Sequence, residues 1–356
     1  MNILDAHKIY YHAEALQEIK ATGNTYPIHI QIGLTSYCNH RCLFCYASSI
    51  AEDSSKTDII DSDALLHFLQ DAKDKGLKAV TIVGAGEPLL HPNVTDILYG
   101  IHRIGLDIGI YTNGSKLKGE IAKAVLATCT FVRISINAAS SDEHERVHSV
   151  KGQFEGIVEN VRDLARIKQE NNQSFPTIGA QFVFFKDNYG SMQDAAKLWK
   201  EVGIDYIAFK PLIGSDDHNS YNGKAEPVND ALNVIKHMKM ALSEETERFK
   251  VYGKYEQYEH TKLKERLYKV CYGHNIDTNL LSDGNLTLCC NLFSEEWYLG
   301  NIYEESFDDI WDGERRKRIV NSINLKVCPK ACRCDPVNEV IWDFCHPSPE
   351  VHPNFV

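Results

Sequence analysis

Three cysteines near the N-terminus have the spacing of an iron-binding loop. Cys38, Cys42 and Cys45 form a CxxxCxxC segment directly after an apolar run that is predicted to be a strand. Three thiolates can ligate three irons of a [4Fe-4S] cube and leave the fourth iron open to a ligand that chelates through an amine and a carboxylate. The alternative is a zinc site, which needs a fourth protein ligand such as His40 or a more distant residue. The spacing favours the cluster.

Most of the other cysteines lie in the last quarter of the chain. Of eleven cysteines, seven follow residue 270, namely Cys271, Cys289, Cys290, Cys328, Cys332, Cys334 and Cys345. In a long chain, clustered cysteines indicate metal binding or catalysis rather than a disulfide framework. A zinc ribbon that stabilises a small domain is the alternative for this region. Cys129 stands alone and is predicted to belong to the core.

An alternating pattern of strands and helices positions these cysteines. Short β-branched or apolar runs alternate with amphipathic stretches such as Asp63 to Lys75 and Phe154 to Lys168, which predicts repeated β-α units around a parallel sheet. Six strands are predicted, at Ile30 to Leu34, Ala79 to Val83, Asp107 to Tyr111, Phe131 to Ile136, Ile178 to Phe185 and Tyr206 to Lys210. Six units are too few for a closed barrel, so we expect an α/β protein with a partial (β/α)6 TIM-like barrel and ligands at the C-terminal strand ends.

The chain divides into five predicted segments. These are an N-terminal helical segment (1–24), the barrel (25–225), a helical linker (226–270), a small cysteine-rich domain (271–345) and a C-terminal tail (346–356). The polar stretch Gly214 to Lys224 interrupts the alternation, and a helix is expected over roughly Asn229 to Lys250. The prolines of the tail exclude a regular helix, which leaves a segment lying over the surface or a disordered end.

Composition narrows the class of protein. The chain has 356 residues, 43% of them hydrophobic, and a formal net charge of -11. Such an acidic chain is not built to neutralise nucleic-acid phosphates, so no nucleic-acid partner is expected. The N-terminus lacks the apolar region of a signal peptide, and no run is long and apolar enough to span a membrane. We therefore expect a cytoplasmic protein without a membrane partner.

The first cysteine loop resembles that of the radical SAM superfamily. The family signature has an aromatic residue before the third cysteine, which Phe44 matches here. Three further motifs stand in order at the ends of predicted strands: Gly84-Ala-Gly86-Glu87-Pro88, which resembles the GGEP motif with one glycine replaced by alanine, then Thr112-Asn113-Gly114, then Ser135-Ile-Asn137. Singly, Glu87 could be a turn carboxylate, and Ser135 and Asn137 could be helix caps. Because four motifs occur in the family's order at the ends of predicted strands, we favour a functional role for these residues.

The resemblance implies S-adenosylmethionine (SAM) as cofactor beside a [4Fe-4S] cluster on Cys38, Cys42 and Cys45. The expected SAM contacts are Phe44, Gly84, Gly86, Glu87, Thr112, Asn113, Ser135 and Asn137. In the family, a reduced cluster passes an electron to SAM, which yields a 5'-deoxyadenosyl radical that abstracts hydrogen from a substrate. A barrel interior covered by a second domain would orient the substrate and exclude water and oxygen.

The C-terminal cysteines resemble the SPASM and shorter twitch extensions of that superfamily, which carry auxiliary [4Fe-4S] clusters. The first half, Cys271-x12-Gly284-x4-Cys289, matches closely, whereas the second half departs from the full SPASM pattern. Two fully ligated clusters need eight cysteines, and seven are present. We therefore expect one auxiliary cluster on Cys271, Cys289, Cys328 and Cys332, with Cys334 as the next candidate ligand. A second, incompletely ligated cluster stays open.

The resemblance leaves the reaction undecided. Auxiliary-cluster members oxidise alcohols, epimerise carbons or modify ribosomal peptides, and Cys290, Cys334 or Cys345 could donate hydrogen in an epimerase. Only some thirty residues precede the first strand, fewer than a peptide-binding domain needs, which favours epimerisation or dehydrogenation of a sugar, aminocyclitol or other small polar molecule. A peptide maturase is the first alternative, and a non-catalytic iron-sulfur or zinc scaffold or sensor is the second. The expected electron donor is a flavodoxin- or ferredoxin-type reductant.

Two histidines form a weaker signal. His144 and His148 have i, i+4 spacing, which places them on one face of a helix where they could ligate a metal. A solvated or locally bonded segment is the preferred interpretation. Because the family often places a Tyr- or His-containing loop after the fourth strand, His148 could also face the substrate.

Overall fold

One ten-stranded sheet organises the protein. The computed structural model describes residues 5–45, 57–212, 224–253, 265–292, 294–326, 328 and 332–352. The strands are β1 (His29–Ile32), β2 (Ala79–Ile82), β3 (Asp107–Thr112), β4 (Phe131–Ser135), β5 (Thr177–Phe184), β6 (Tyr206–Pro211), β7 (Lys250–Gly253), β8 (Asp277–Leu280), β9 (Asn285–Thr287) and β10 (Tyr298–Asn301). Their order is β10-β9-β8-β1-β2-β3-β4-β5-β6-β7. Strands β1 to β7 run parallel, β8 pairs parallel with β1, and β9 and β10 are antiparallel.

Helices connect the parallel strands. They are α1 (Ala13–Thr22), α2 (Ser62–Asp74), α3 (Val94–Ile104), α4 (Gly119–Thr128), α5 (Ser141–His148), α6 (Phe154–Glu170), α7 (Met192–Val202), α8 (Ala231–Leu242), α9 (Gly273–Ile276), α10 (Phe307–Trp311), α11 (Glu314–Asn321) and α12 (Asp335–Cys345). Short 3-10 helices lie at Ala6–Tyr11, Pro88–Leu90, Tyr189–Ser191, Glu295–Trp297 and Pro349–Val351. No helix in these ranges is long and apolar enough to cross a membrane.

Local chemistry explains where the helices begin and end. Helix α2 begins after Asp61, whose carboxylate accepts a hydrogen bond from the Ala64 amide, and its buried face includes Leu65 and Phe68. Helix α3 ends at Gly105, whose φ of 82° is the left-handed conformation that glycine adopts without steric cost. These amphipathic helices bury their apolar faces against the sheet.

The two faces of the sheet have opposite character. Alternate residues such as Ile30, Ile82 and Ile134 are fully buried in the main hydrophobic core, together with the helices. The other residues of the same strands form an inner face that carries polar side chains, among them Gln31 and Arg133. The period of two along a strand therefore separates a packing face from a face that can hold ligands.

The predicted partial barrel is confirmed, with each of the six predicted strands present within two residues of its expected bounds. The helix expected over Asn229 to Lys250 is wrong at its end, because α8 stops at Leu242 and β7 begins at Lys250. After Leu242 a turn forms, with a 2.9 Å bond from the Thr246 amide to the Phe249 carbonyl. The predicted helical linker thus contributes a seventh parallel strand. Of the polar stretch Gly214 to Lys224, only Lys224 falls within the described ranges.

The cysteine-rich segment is joined to the barrel by backbone hydrogen bonds. Strand β8 pairs with β1, and the β8–β9–β10 ribbon extends the sheet. Helix α12 packs on α1 through a separate apolar cluster that includes Leu16, Ile19 and Ile341. The five segment boundaries stay predictions, but residues on either side of position 270 share one sheet.

Candidate active site

The three N-terminal cysteines lie in a loop, here called the Cys loop (residues 38–45), above the C-terminal end of β1. The Cys45 amide bonds to the Cys42 carbonyl at 3.1 Å, and the Leu43 amide bonds to the Val147 carbonyl at 2.9 Å. Burial, together with the nearby charges of Glu87 and Cys45, raises the pKa of Cys38 to about 11. Burial also raises the pKa of Cys42, to which the charges of Cys45 and Cys38 add. The three sulfurs therefore converge on one partly enclosed space.

The turn after β2 packs directly on this loop. A Cβ atom on Gly86 would lie 2.3 Å from the Tyr37 carbonyl oxygen and 2.4 Å from that of Thr35, and one on Gly84 would lie 2.8 Å from the Gly33 Cα. The Glu87 amide donates to the Tyr37 carbonyl at 2.8 Å. Glycine is required where two backbones approach this closely.

The Glu87 carboxylate is buried and already bonded within the chain. Its oxygens accept hydrogen bonds from the Leu89 amide (3.1 Å), the Thr112 hydroxyl (2.5 Å) and the Asn113 amide (2.7 Å). Burial raises the pKa of Glu87 to about 7, although these bonds lower it. Glu87 thus ties the turn after β2 to the end of β3.

The motif after β3 also joins the Cys loop. The Asn113 side-chain amide donates to Asn39 Oδ1 at 2.8 Å, and Asn39 Nδ2 donates to the Ser115 hydroxyl at 3.0 Å. The structure therefore brings Gly84, Gly86, Glu87, Thr112 and Asn113 together around the Cys loop at the ends of the first three strands.

The two residues predicted after β4 differ in exposure. Asn137 is buried, and its Oδ1 accepts from the Val183 amide at 2.5 Å while its carbonyl accepts from Asn188 Nδ2 at 2.9 Å. Ser135 is half-buried and lies opposite Gln181 of β5. Asn137 therefore braces β4 against β5, whereas Ser135 is accessible. Their assignment as SAM contacts stays a prediction.

His144 and His148 pack against the Cys loop and contact its own His40, a cluster that the sequence pattern did not predict. His40, His144 and His148 are all buried, so a solvated segment is wrong for the two helical histidines, whereas the alternative of a locally bonded segment agrees with the bond from the Asn137 amide to His148. The rings of His144 and His148 stack with centroids 4.5 Å apart, and Phe44 meets His148 edge-on at 5.8 Å. The i, i+4 spacing was the available signal, but the contact with His40 joins residues over 100 positions apart.

His148 contacts Cys42. The Asn137 amide donates to His148 Nε2 at 3.2 Å, while His148 Nδ1 lies 3.1 Å from Cys42 Sγ. Burial lowers the pKa of His148 well below its usual range, so the ring is neutral. Because Nε2 accepts a hydrogen bond, Nδ1 carries the proton and donates it to the sulfur. Both ring nitrogens are engaged, which argues against a separate metal site formed by the three histidines.

Five C-terminal cysteines surround one cavity. Its lining includes Cys271, Cys289, Cys328, Cys332 and Cys334, together with apolar side chains such as Leu288, Leu292 and Ile323. Burial raises the pKa of Cys328 to about 11 and that of Cys289 well above its usual range. The structure therefore gathers the four cysteines predicted as auxiliary ligands, with Cys334 beside them.

Amide groups surround these sulfurs. Asn291 Nδ2 lies 3.1 Å from Cys332 Sγ, and Asn338 Nδ2 lies 3.7 Å from Cys271 Sγ. Asn338 Oδ1 in turn accepts from the Tyr272 and Gly273 amides at 2.6 and 2.7 Å. Asn338 thereby fixes α12 beside Cys271.

The three cysteines predicted as hydrogen donors occupy different places. Cys334 shares hydrogen bonds with the Cys290 and Cys332 sulfurs, and the bond with Cys334 lowers the pKa of Cys290 to about 7, against the effect of burial. Cys290 also interacts with Gln31 on the inner face. Cys345 instead packs in the apolar cluster of α1 and α12, outside the cavity. Cys129 is buried in the main core, as predicted.

Two family models match these two regions: the radical SAM superfamily over residues 32–182 and an iron-sulfur cluster-binding SPASM domain over residues 271–335. The first span contains the Cys loop and the strand-end motifs, and the second contains the five cysteines of the cavity. The chain therefore contains a radical SAM domain followed by a SPASM domain.

Individual proteins resemble this radical SAM chain over most of its length. The tungsten-containing aldehyde ferredoxin oxidoreductase cofactor-modifying protein of Pyrococcus furiosus is 25% identical over 310 residues, 81% of this chain and 81% of that protein. The antilisterial bacteriocin subtilosin biosynthesis protein AlbA of Bacillus subtilis is 24% identical over 297 residues, 80% of this chain and 60% of that protein. The structure of Streptococcus suis SuiB bound to S-adenosylmethionine covers 92% of this chain and 78% of its own, with a TM-score of 0.67 and 15% identity. At 15% identity, the similarity to SuiB shows that the two proteins share a fold.

The residues present fit the cofactors of the superfamily. Radical SAM proteins bind SAM and a [4Fe-4S] cluster, and a SPASM domain carries auxiliary iron-sulfur clusters. The described cysteines form no disulfide. Thiols whose pKa is raised by burial, and further by neighbouring sulfurs, are stabilised as thiolates once a cationic cluster binds between them. The Cys loop and the cavity both have this chemistry.

Proposed function

We propose that this protein cleaves SAM reductively at a [4Fe-4S] cluster held by Cys38, Cys42 and Cys45. The resulting 5'-deoxyadenosyl radical would abstract hydrogen from a substrate bound on the inner face of the barrel. The observation that carries the proposal is the bonded unit formed by the Cys loop, Glu87 and Asn113 at three adjacent strand ends. When bound, the cluster and SAM supply a 5'-deoxyadenosyl radical. The chain's part is to hold these groups rigidly and to exclude water.

Specific residues supply that rigidity. Glu87 and Asn113 fix the backbone around the three sulfurs, and Phe44 and the three histidines close the loop on its protein side. Ser135 is the accessible polar group at the end of β4, where a ribose hydroxyl can be bound. These assignments are part of the proposal.

For the substrate, we favour a peptide over the sugar-like molecule expected from the sequence. AlbA is by name a bacteriocin biosynthesis protein, and SuiB has been solved with its precursor peptide SuiA. Both resemble this chain across barrel and SPASM regions alike. A flavodoxin- or ferredoxin-type protein is the electron donor that we propose for the cluster.

Epimerisation or dehydrogenation of a small polar molecule is the second candidate. It is favoured by Cys290, a thiol near Gln31 on the inner face, since a redox-neutral epimerase needs a hydrogen donor near its substrate. A dehydrogenase would instead pass an electron to an auxiliary cluster. Single Cys290→Ala, Cys334→Ala and Cys345→Ala variants distinguish the two, because loss of a hydrogen donor yields dehydrogenated or uncoupled product.

The test of SAM cleavage uses anaerobically reconstituted protein. Wild type, a Cys38→Ala/Cys42→Ala/Cys45→Ala variant and a Cys129→Ala control receive SAM and dithionite, and 5'-deoxyadenosine is quantified. We expect product from wild type and the control but not from the triple variant. A wild type that holds its clusters and makes no 5'-deoxyadenosine would favour the non-catalytic scaffold.

The substrate class is tested by isotope transfer. Wild type is incubated with a pool of fully deuterated peptides or a pool of fully deuterated monosaccharides, and the 5'-deoxyadenosine is analysed by mass spectrometry. Deuterium from the peptide pool alone supports peptide modification. Deuterium from the sugar pool alone would replace it with the second candidate.

A further inference from the structure

An arginine on the inner face of the barrel lies between aromatic rings. The Arg133 guanidinium is 4.8 Å from the centroid of the Tyr111 ring and 5.6 Å from that of Tyr206. Its Nε donates to the Tyr206 hydroxyl and its Nη1 to the Tyr111 hydroxyl, both at 2.8 Å. A Cβ on Gly179 would lie 2.1 Å from the Tyr206 ring, so this glycine makes room for the ring beside Arg133. The guanidinium is held in one orientation.

Arg133 has no carboxylate partner within the described ranges, although it is only 7% exposed. Buried charges in proteins are normally paired. Asp277 of the same face is already engaged, by Arg333 Nη2 at 2.7 Å and by His29 Nδ1 at 2.8 Å. Arg133 Nη2 has no hydrogen-bond acceptor in this part of the chain. Among the described residues, the positive charge of Arg133 on the inner face is therefore not balanced by a carboxylate.

Other cations lie close to Arg133. Arg333 reaches the inner face, where Nη1 donates to Gln31 Oε1 at 2.7 Å, and it lies near enough to Tyr111 for the two groups to interact. Lys8 lies near enough to Arg133 that its pKa is lowered, mainly by burial and further by that charge. The Arg333 side chain is 46% exposed, so solvent reaches this region. Because Asp277 balances the charge of Arg333, Arg133 is the positive charge that the described part of the inner face offers to an anion, in a chain of net charge -11.

A second polar group on the inner face lacks a partner. The Gln181 side-chain oxygen is buried and accepts no hydrogen bond from the described residues. In register, Arg133 lies opposite Gly179, and Ser135 lies opposite Gln181. Gln181 is therefore two residues nearer the Cys loop, which is about 6.6 Å along the strand.

We propose that Arg133 binds an anionic group of the substrate, a carboxylate or a phosphate, and that Gln181 accepts a hydrogen bond from the same substrate. The inference rests on the proposed function and deepens it, since it names a chemical class for the molecule on the inner face. An anion held by Arg133 leaves the part of the substrate near Gln181 and Ser135 directed towards the Cys loop. A peptide meets this description through an acidic side chain or its terminal carboxylate.

Binding is tested on the anaerobic, cluster-loaded full chain with SAM present. Succinate and inorganic phosphate are titrated separately, with neutral succinamide as control, and binding is followed by ligand NMR line broadening. The variants are Arg133→Gln, which removes the charge, and Arg133→Lys, which keeps it. Arg162→Gln is the matched control, because Arg162 is an exposed residue on α6 that pairs with Glu159. 5'-Deoxyadenosine formation and far-UV circular dichroism are measured on the same samples.

We expect saturable binding of at least one anion by wild type and no binding of succinamide. Arg133→Gln should weaken the affinity for the anion about 10- to 100-fold, as expected for loss of a charged hydrogen bond. Arg133→Lys should weaken this affinity less, and Arg162→Gln should leave it unchanged. Preference for succinate assigns a carboxylate, and preference for phosphate assigns a phosphorylated substrate. Arg162→Gln should cleave SAM like wild type.

Two results would overturn the inference and leave the proposed function intact: wild type that cleaves SAM but binds neither anion, or anion binding that is equal in Arg133→Gln and wild type. The wild-type measurement does not depend on whether a variant folds. Failure of wild type to cleave SAM would instead contradict the proposed function itself.

Discussion

At the scale of single residues, the bond between His148 and Cys42 predicts the redox behaviour of the catalytic cluster. Hydrogen bonds to cluster sulfurs raise the reduction potential because they stabilise the more negative state. His148→Gln places an amide oxygen near the Nε2 position and removes the donor at Nδ1. We expect the potential to fall by on the order of 20–60 mV, equivalent to one hydrogen bond of roughly 0.5–1.5 kcal/mol in a one-electron couple.

The matched variant for this experiment is His148→Asn, whose amide nitrogen reproduces the position of Nδ1 and should restore most of the potential. Potentials come from EPR-monitored redox titration, a readout that does not depend on turnover. His102→Gln, on the exposed end of α3, serves as a distant control. Equal potentials in His148→Gln and wild type would show that the 3.1 Å contact does not affect the cluster.

Glu87 predicts a pH dependence of folding stability. Burial raises its pKa from 4.5 to about 7, so the folded state resists ionisation that the unfolded chain accepts. The contribution of the protonated Glu87 carboxyl group to folding stability is fully present below about pH 4.5, and it is lost as the pH rises through 7. In iron-free protein, the free energy of unfolding of wild type relative to Glu87→Gln should fall by up to about 3 kcal/mol between pH 5 and pH 8.

Urea unfolding of both proteins at several pH values measures this difference. Glu155→Gln is the control, because Glu155 lies exposed on α6. If the difference between wild type and Glu87→Gln were independent of pH, Glu87 would be ionised throughout the range, and its three hydrogen bonds would outweigh its burial.

Sequence patterns indicated candidate site residues more readily than the contacts between them. The Cys loop and Glu87 were identified because each belongs to a short motif with fixed local spacing. The roles of His148 and Arg133 were not predicted, because they depend on partners such as Cys42 and Tyr206 that are far away in the sequence. The local sequence around a single arginine in a strand is the same whether the side chain faces solvent or a closed interior.

At the scale of elements, the approach of the Gly84–Glu87 turn to the Cys loop predicts that small changes there displace the cluster. In Gly86→Ala the new Cβ would lie 2.3 Å from the Tyr37 carbonyl, which is backbone and cannot rotate away. Overpacking of this kind costs about 1–3 kcal/mol and shifts the loop. We expect Gly86→Ala to lose much of its catalytic-cluster iron while the SPASM region retains its own.

Gly156→Ala on α6 is the matched control, because a Cβ at that position meets nothing within 4 Å. It should keep the full iron content and gain slightly in stability, since alanine favours a helix. Iron and sulfide analysis with EPR of each variant gives the result. Full iron retention and normal SAM cleavage in Gly86→Ala would show that the Cys loop tolerates displacement.

Element boundaries followed from local pattern, but strand neighbours did not. The six predicted strands were correct because buried parallel strands are short apolar runs between helical periods. β7 was missed because its four residues follow a long polar run that continues the helical composition of α8. The pairing of β8 with β1 joins segments about 250 residues apart, a contact that no local spacing encodes.

At the scale of the whole molecule, the shared sheet places the two cysteine sites on adjacent strands. The Cys loop follows β1, and the hairpin that carries Cys289 begins with β8, the neighbour of β1. The two sites are nevertheless separate sets of ligands: five cysteines line the C-terminal cavity, and none of them belongs to the Cys loop. Each cluster should therefore assemble without the other.

Iron counting tests this independence and the number of clusters. With one auxiliary cluster, reconstituted wild type should hold about eight irons, and either the Cys38→Ala/Cys42→Ala/Cys45→Ala variant or a Cys271→Ala/Cys289→Ala variant about four. One auxiliary cluster is expected because the five cysteines line a single cavity, which offers ligands to one cluster. About twelve irons in wild type would require a second auxiliary cluster that recruits Cys290 and Cys334. Zinc in place of iron in the C-terminal site would show instead that this region is a structural zinc ribbon. An electron leaving the substrate would then have no auxiliary cluster to accept it.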